Sequence, residues 1–421
     1  MNETQKLSRW GVFTAAPHRM FFFSAGATAL LSMGGWLPHL TGGMLGHGAW
    51  PLPPSVGHFL LMAAGPFAMA AHGFLFTALP RWQNAKPIQP RVYVPLWGLQ
   101  SAGWLVFWGG ITGWMPVDSN LAAWVGALMC GSAMGLGAMV LGGKVIWGNS
   151  PGRLHGTLVS GALMGGMAAM LLAARGMFEW TTPSGPGNLF GWASAVGLYG
   201  FLLPLFFSVT HRMVPFFTGS ALGGYDLRRT EWLPWGLVGL SVWRGIMAGV
   251  GAAQWYWLAD LPLAVMLGRE LILWRFWRAR GVPLLMVLYL GLGWIVAGLM
   301  LSGMDSLYTW VEGGGGVTLD LAARHLLTVG GFSTLWLGMV TRVSRGHGGV
   351  GLYGGRFETA LFYGFQLVPL MRVIPEGLAA LGQDGQGWLA MAGVGWFAAF
   401  GAWFGKYGPM FWRPRADGQP G

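Results

Sequence analysis

Residues 283–303 read PLLMVLYLGLGWIVAGLMLSG, an apolar run with no charged side chain. About 20 such residues carry a helix across the hydrocarbon of a bilayer, so this stretch is read as a transmembrane helix. Outward from it, runs of the same kind recur along the whole chain, near 20–38, 57–79, 92–112, 120–143, 156–177, 190–210, 232–252, 254–274, 283–303, 320–341, 357–378 and 387–407. The expectation is an all-α, polytopic bundle of about twelve spans, with residues 1–421 as one integral membrane domain. Composition agrees: of 421 residues, 54% are hydrophobic and only 9% charged, against about 25% charged in ordinary soluble domains. The 73 Gly let helices approach closely, and the 26 Trp suit the bilayer–water boundary. A large water-soluble enzyme is excluded.

The formal net charge of +11 would suggest nucleic acid in a soluble protein, but here the bases report sidedness. Alternate segments carry Lys6, Arg9 and Arg19; Arg81, Lys86 and Arg91; Lys144 and Arg153; Arg212, Arg228 and Arg229; Arg275, Arg278 and Arg280; Arg342, Arg345 and Arg356; Lys406, Arg413 and Arg415. The intervening loops hold acids such as Asp118, Glu179, Asp305, Glu312, Glu376 and Asp384 and no base. The positive-inside rule then places both termini of this multi-pass protein in the cytoplasm. No cleavable signal is read at the N-terminus. The single Cys130 excludes a disulfide framework and a cysteine-ligated cluster. The run Gly313 to Gly316 lacks the strand and lysine of a phosphate loop and reads as a turn.

Polar groups inside a bilayer are costly, so the nine histidines are sorted by depth. His39, His47, His58 and His325 fall toward the outer face, and His18, His72, His155, His211 and His347 toward the cytoplasmic face. Imidazole binds haem iron, copper and zinc. His58 and His72 share the second span, about 21 Å apart in rise and about 40° short of whole turns, hence nearly on one face. That spacing suits two haems near opposite leaflets; the competing reading is a His72 hydrogen-bonded to a neighbouring helix. His325 matches His58 in depth, and both can serve one outer site. Arg324 and Arg175 are candidate partners for haem propionates, with snorkelling to the interface the other reading of each. Arg244, Arg269 and Arg372 are also buried in spans, with Asp260 and Glu270 as the other embedded acids. Met164, Met167 and Met170 read as packing before copper ligation. His155 reads as a helix-entry residue, His211 as the end of the sixth span, and His39 and His47 as solvated residues of a short outer loop.

Four blocks resemble the NnrS family of bacterial membrane proteins. They are Ala16, Pro17, His18, Arg19, Met20, Phe21, Phe22; Gly73 to Trp82; Arg212 to Thr218; and Arg324 to Gly330 leading to Leu337 to His347. The resemblance implies a haem- and copper-containing protein of the inner membrane, linked to denitrification and nitric oxide tolerance. It implies a b-type haem, copper, a small diatomic ligand such as nitric oxide, and a membrane or periplasmic electron donor. His18 and His347, inside these blocks beside Arg19 and Arg345, are candidates for a second cofactor or an anionic headgroup; His211 adjoins a block. The family's His-x-His-Glu at the start of the second span is here His58, Phe59, Leu60, Leu61, so one ligand and its carboxylate are missing. The alternative function is a twelve-span transporter or sensor for a metal ion or small anion, without haem. The scarcity of buried carboxylates counts against proton-driven transport, and equally against a full nitric oxide reduction needing proton delivery.

Overall fold

A computed structural model describes residues 8–41, 50, 52–115, 117–180, 187–223, 229–313 and 319–417. Lys6, His47, Arg228 and Gly314 to Gly316, named above, lie outside them. All regular elements among the described residues are helical. Apart from a five-residue helix, Arg9–Phe13, and short 3-10 turns, they are in chain order α1 (Pro17–Leu40), α2 (Pro54–Trp82), α3 (Pro90–Thr112), α4 (Ser119–Ile146), α5 (Leu154–Trp180), α6 (Leu189–Leu222) and α7 (Leu233–Gly249). Then come α8 (Trp257–Leu273), α9 (Pro283–Val311), α10 (Asp320–His347), α11 (Arg356–Gly364), α12 (Leu367–Ala380) and α13 (Gln386–Tyr407).

Local chemistry sets several of these ends. Proline occupies the first turn of α1, α2, α3 and α9, where its missing N–H is no loss. The Asp118 carboxylate accepts from Leu121 N at 2.7 Å and caps α4. Gly113, at φ 68°, closes α3 in the left-handed conformation that glycine tolerates.

Eight of these helices are long and apolar enough to cross a membrane: α1, α2, α4, α5, α6, α9, α10 and α13. The protein is thus a multi-pass membrane protein. The other four expected spans coincide with weaker elements. α7 and α8 have 17 residues each and are joined by a short 3-10 turn, Ala253–Trp255. The run 357–378 is broken into α11 and α12 around Phe365 and Gln366. α3 is long enough but carries Arg91, Gln100 and Ser101.

α2 and α10 are the interior of the bundle: 83% of the apolar window of each is buried, against 28% for α13. Close approach elsewhere depends on glycine. A Cβ at Gly110 or Gly126 would strike the backbone of the facing helix, at Ala123 and Phe107 respectively, so α3 and α4 pack backbone to backbone.

Three helices depart from α geometry at one place each. α2 widens to a π-turn at Ala63–Phe67, α6 at Val196–Leu202 and α10 at Leu326–Phe332. In α2 the cause is local: Pro66 has no N–H to give to the ladder. Such widened turns recur at functional sites.

Candidate functional site

The three π-turns converge on a cavity of about 630 Å³. Its wall includes Ala63 and Phe67 of α2, Leu198 and Tyr199 of α6, and Thr328 and Val329 of α10. α1, α7, α12 and α13 also contribute to it. The size lies within the roughly 300–1,000 Å³ typical of cofactor and ligand sites.

His58, His325 and His39 all line this cavity. The Trp36 indole lies nearly parallel to two of them, 4.6 Å and 11° from His58 and 5.0 Å and 14° from His39. His58 Nδ1 is buried and has no hydrogen-bond partner among the described residues. His325 Nδ1 lies 2.8 Å from the Leu321 carbonyl. A carbonyl only accepts, so Nδ1 carries the hydrogen and Nε2 keeps its lone pair. That is the tautomer in which histidines bind metals, with the second nitrogen anchored to a carbonyl. His39 differs from its expected place in a solvated loop: α1 continues through Pro38 to Leu40, which brings the imidazole into the cavity wall.

The cavity also has a charged wall. Arg324 lines it and pairs with Asp320 one turn earlier. Arg372 lines it from α12, holding Glu376 at 2.6 Å, and its charge acts on both His58 and His325. Arg244 reaches it from α7, fully buried. Its Nε donates to Asp260 at 2.9 Å, and Ser302 donates to the same carboxylate oxygen at 2.6 Å. The guanidinium lies over the rings of Tyr256, at 3.2 Å, and Tyr199, at 4.4 Å. Burial this deep is tolerated because charge, hydrogen bonds and aromatic faces compensate together. Intramembrane charge was the sequence signal for Arg244 and Arg372; nothing in the pattern signalled Trp36 or Tyr199.

The remaining candidates lie elsewhere. His72 does not line the cavity with His58, because the intervening π-turn takes up about one extra residue and leaves the rotation between them ~100° short of an ideal helix. Instead His72 Nδ1 donates to Gln100 Oε1 at 2.7 Å, while Gln100 Nε2 donates to the Ala64 carbonyl. Its Nε2 packs against α4, where a Cβ at Gly137 would collide with it. His18 and His347 face each other at the far end, ring centroids 4.5 Å apart. From His18 to His39, and from His325 to His347, the helices rise about 32 Å, so the two groups of histidines stand near opposite ends of the bundle. His155 Nε2 and His211 Nδ1 share a hydrogen bond of 3.0 Å, which makes His155 a partner of α6 rather than a bare interface residue. Arg19 donates to the carbonyls of Phe411 and Arg413. Arg175 is exposed, pairs with Glu179 and is not among the residues lining the cavity. Arg269 does reach its neighbour Glu270, at 2.8 Å, and also Thr230.

Among the described residues no group of three or more His, Cys, Asp or Glu side chains is arranged to hold a metal ion. Donors on this chain come as single imidazoles in a large cavity, which suits a porphyrin carrying its own four nitrogens, or as pairs. For copper, the most that His18 and His347 offer is two imidazoles.

Compared with known proteins, the chain matches the NnrS protein family over residues 12–415. No curated relative matches it.

Proposed function

Because the chain belongs to the NnrS family, membrane proteins of the nitric oxide response, we propose that its large cavity holds a b-type haem and binds nitric oxide or a related diatomic. The observation that carries this reading is the convergence of His58 and His325 on one cavity of about 630 Å³, each with a nitrogen that no protein group is shown to engage. The residues fit the group. His325, its tautomer set by Leu321, would hold the iron, and His58 would stand in the same cavity as a second imidazole for the iron or its diatomic ligand. Arg324 and Arg372 stand in the wall as partners for propionates. Trp36 and the surrounding apolar side chains limit water at the site.

Bound haem iron supplies a coordination position for nitric oxide and a one-electron couple. The chain's own contribution is placement. Leu321 orients His325, Asp320 restrains Arg324, and the Arg244–Asp260–Ser302 network ties α7, α8 and α9 behind the wall. A neutral diatomic needs no polar channel, since it partitions into lipid and enters between helices. In the same reading the chain crosses the inner membrane twelve times with both termini cytoplasmic, α11 and α12 together forming one broken span. It serves denitrification or tolerance of nitrosative stress, with electrons from a membrane or periplasmic donor, and copper bound by His18 and His347 or by His211.

The test is the optical spectrum of the detergent-purified protein, oxidised and dithionite-reduced, with and without nitric oxide, alongside total iron and copper. The expected result is a Soret band that shifts with nitric oxide. Purified, folded protein with stoichiometric metal and no Soret band would overturn the haem reading in favour of a transporter or sensor.

A further inference from the structure

A second, smaller cavity of about 60 Å³ lies between α1, α2, α6 and α10. Phe22, Ala71, Phe74, Val209 and Met339 are among its walls. Two lining residues bear side-chain polar atoms, and the donor of each is already engaged. Thr210 Oγ1 donates to the Phe206 carbonyl at 2.6 Å, and Trp336 Nε1 donates to the Pro66 carbonyl at 3.1 Å. A buried water needs two to four polar partners, and cavities without them stay dry. The volume is about twice one water's ~30 Å³ share of the liquid, far too small for a porphyrin or a quinone ring.

Phe67 lines both this cavity and the large one. It closes the π-turn of α2, as Phe332 closes that of α10. Phe332 stacks on Phe206 of α6 at 4.5 Å and 4°, and Phe67 stands edge-on to both, at 5.9 Å from Phe206 and 6.3 Å from Phe332. Phe67 is therefore the ring shared by the two spaces, packed edge-on against the Phe206–Phe332 stack, of which Phe206 lines the smaller one.

We infer that the small cavity is a docking site for a neutral, apolar gas of one or two heavy atoms, communicating with the large cavity past the Phe67 ring. The site itself requires no haem. Only its physiological occupant, nitric oxide held in reserve beside the large cavity, rests on the function proposed above.

Xenon is the probe, because it fills dry apolar cavities and needs no iron. Diffraction from crystals pressurised with xenon is expected to show an atom between Ala71, Val209 and Met339. Ala71→Leu, which fills the space, is expected to abolish that peak, and Val209→Leu to reduce it if Ala71→Leu does not fold. In haem-loaded protein Ala71→Leu is further expected to change nitric oxide association severalfold, with the Soret band unchanged. Absence of xenon from this cavity in the unsubstituted protein, its replacement by a lipid chain, or its persistence at full occupancy in Ala71→Leu would overturn the inference. A protein without haem that still binds xenon here would sink the proposed function and leave this site standing.

Discussion

The two ends of the bundle both collect histidines, and they treat them differently. At the His58 end three imidazoles face a cavity of about 630 Å³. At the His347 end, and deeper along α2 and α6, they face protein: His18 meets His347, His155 meets His211, and His72 meets Gln100 and Gly137. Among the described residues His18 Nδ1 and His72 Nε2 also lack hydrogen-bond partners, as His58 Nδ1 does. An unengaged nitrogen therefore does not distinguish a ligand from a packed residue. The hollow beside it does, because a ligand needs room for what it binds.

The sharpest way to break the comparison is to disturb the wall of the hollow from behind. Removing one partner of a fully buried pair leaves an uncompensated charge, so Arg244→Met is expected to cost about 3–5 kcal/mol in thermal or denaturant unfolding of the detergent-solubilised protein. Combining it with Asp260→Leu is expected to restore much of that loss. If the single substitution is neutral, the network does not support the wall.

A smaller effect tests the packed histidine. Gly137→Ala forces a Cβ into His72 Nε2 and is expected to destabilise by about 1–3 kcal/mol. His72→Ala in the same chain is expected to relieve most of it, and a double-mutant cycle reads the coupling. Additive effects would mean that His72 has another position. Gln100→Leu, which strips the acceptor from His72 Nδ1, is expected to cost about 1–3 kcal/mol on the same assay, with haem content unchanged. Smallest of all, Arg175→Ala removes an exposed pair spaced one helical turn apart, worth ~0.5 kcal/mol or less. Iron and haem content measured on that variant are expected to match the parent, since Arg175 does not line the cavity.

Much of this arrangement was legible in the sequence, and the failures have physical causes. Apolar runs located the long helices, since a bilayer demands about 20 such residues whatever the tertiary contacts. The break between α11 and α12 did carry a signal, since Gly364 ends α11 and Pro369 stands in the first turn of α12, but the run around them is apolar enough to read as one span. Depth sorted His58 with His325 and His18 with His347, because rise along a helix is fixed per residue. Rotation was less secure. One π-turn at Pro66 turned His72 away from His58, and no periodicity shows that turn. Pairings across helices, such as Arg244 with Asp260 or Trp36 with His58, depend on which helices become neighbours. The embedded charges announced that partners must exist, and an indole announced nothing.

The central claim is that the hollow, and not burial of histidine as such, marks the cofactor site. It is tested most directly by the absorption spectrum and iron content of four variants purified alike: His58→Ala, His325→Ala, His18→Ala and His347→Ala. The account expects the first two to lose or shift the Soret band and lower bound iron, while the last two keep the parent's spectrum. Loss of the band in His18→Ala or His347→Ala, with His58→Ala and His325→Ala unchanged, would contradict it.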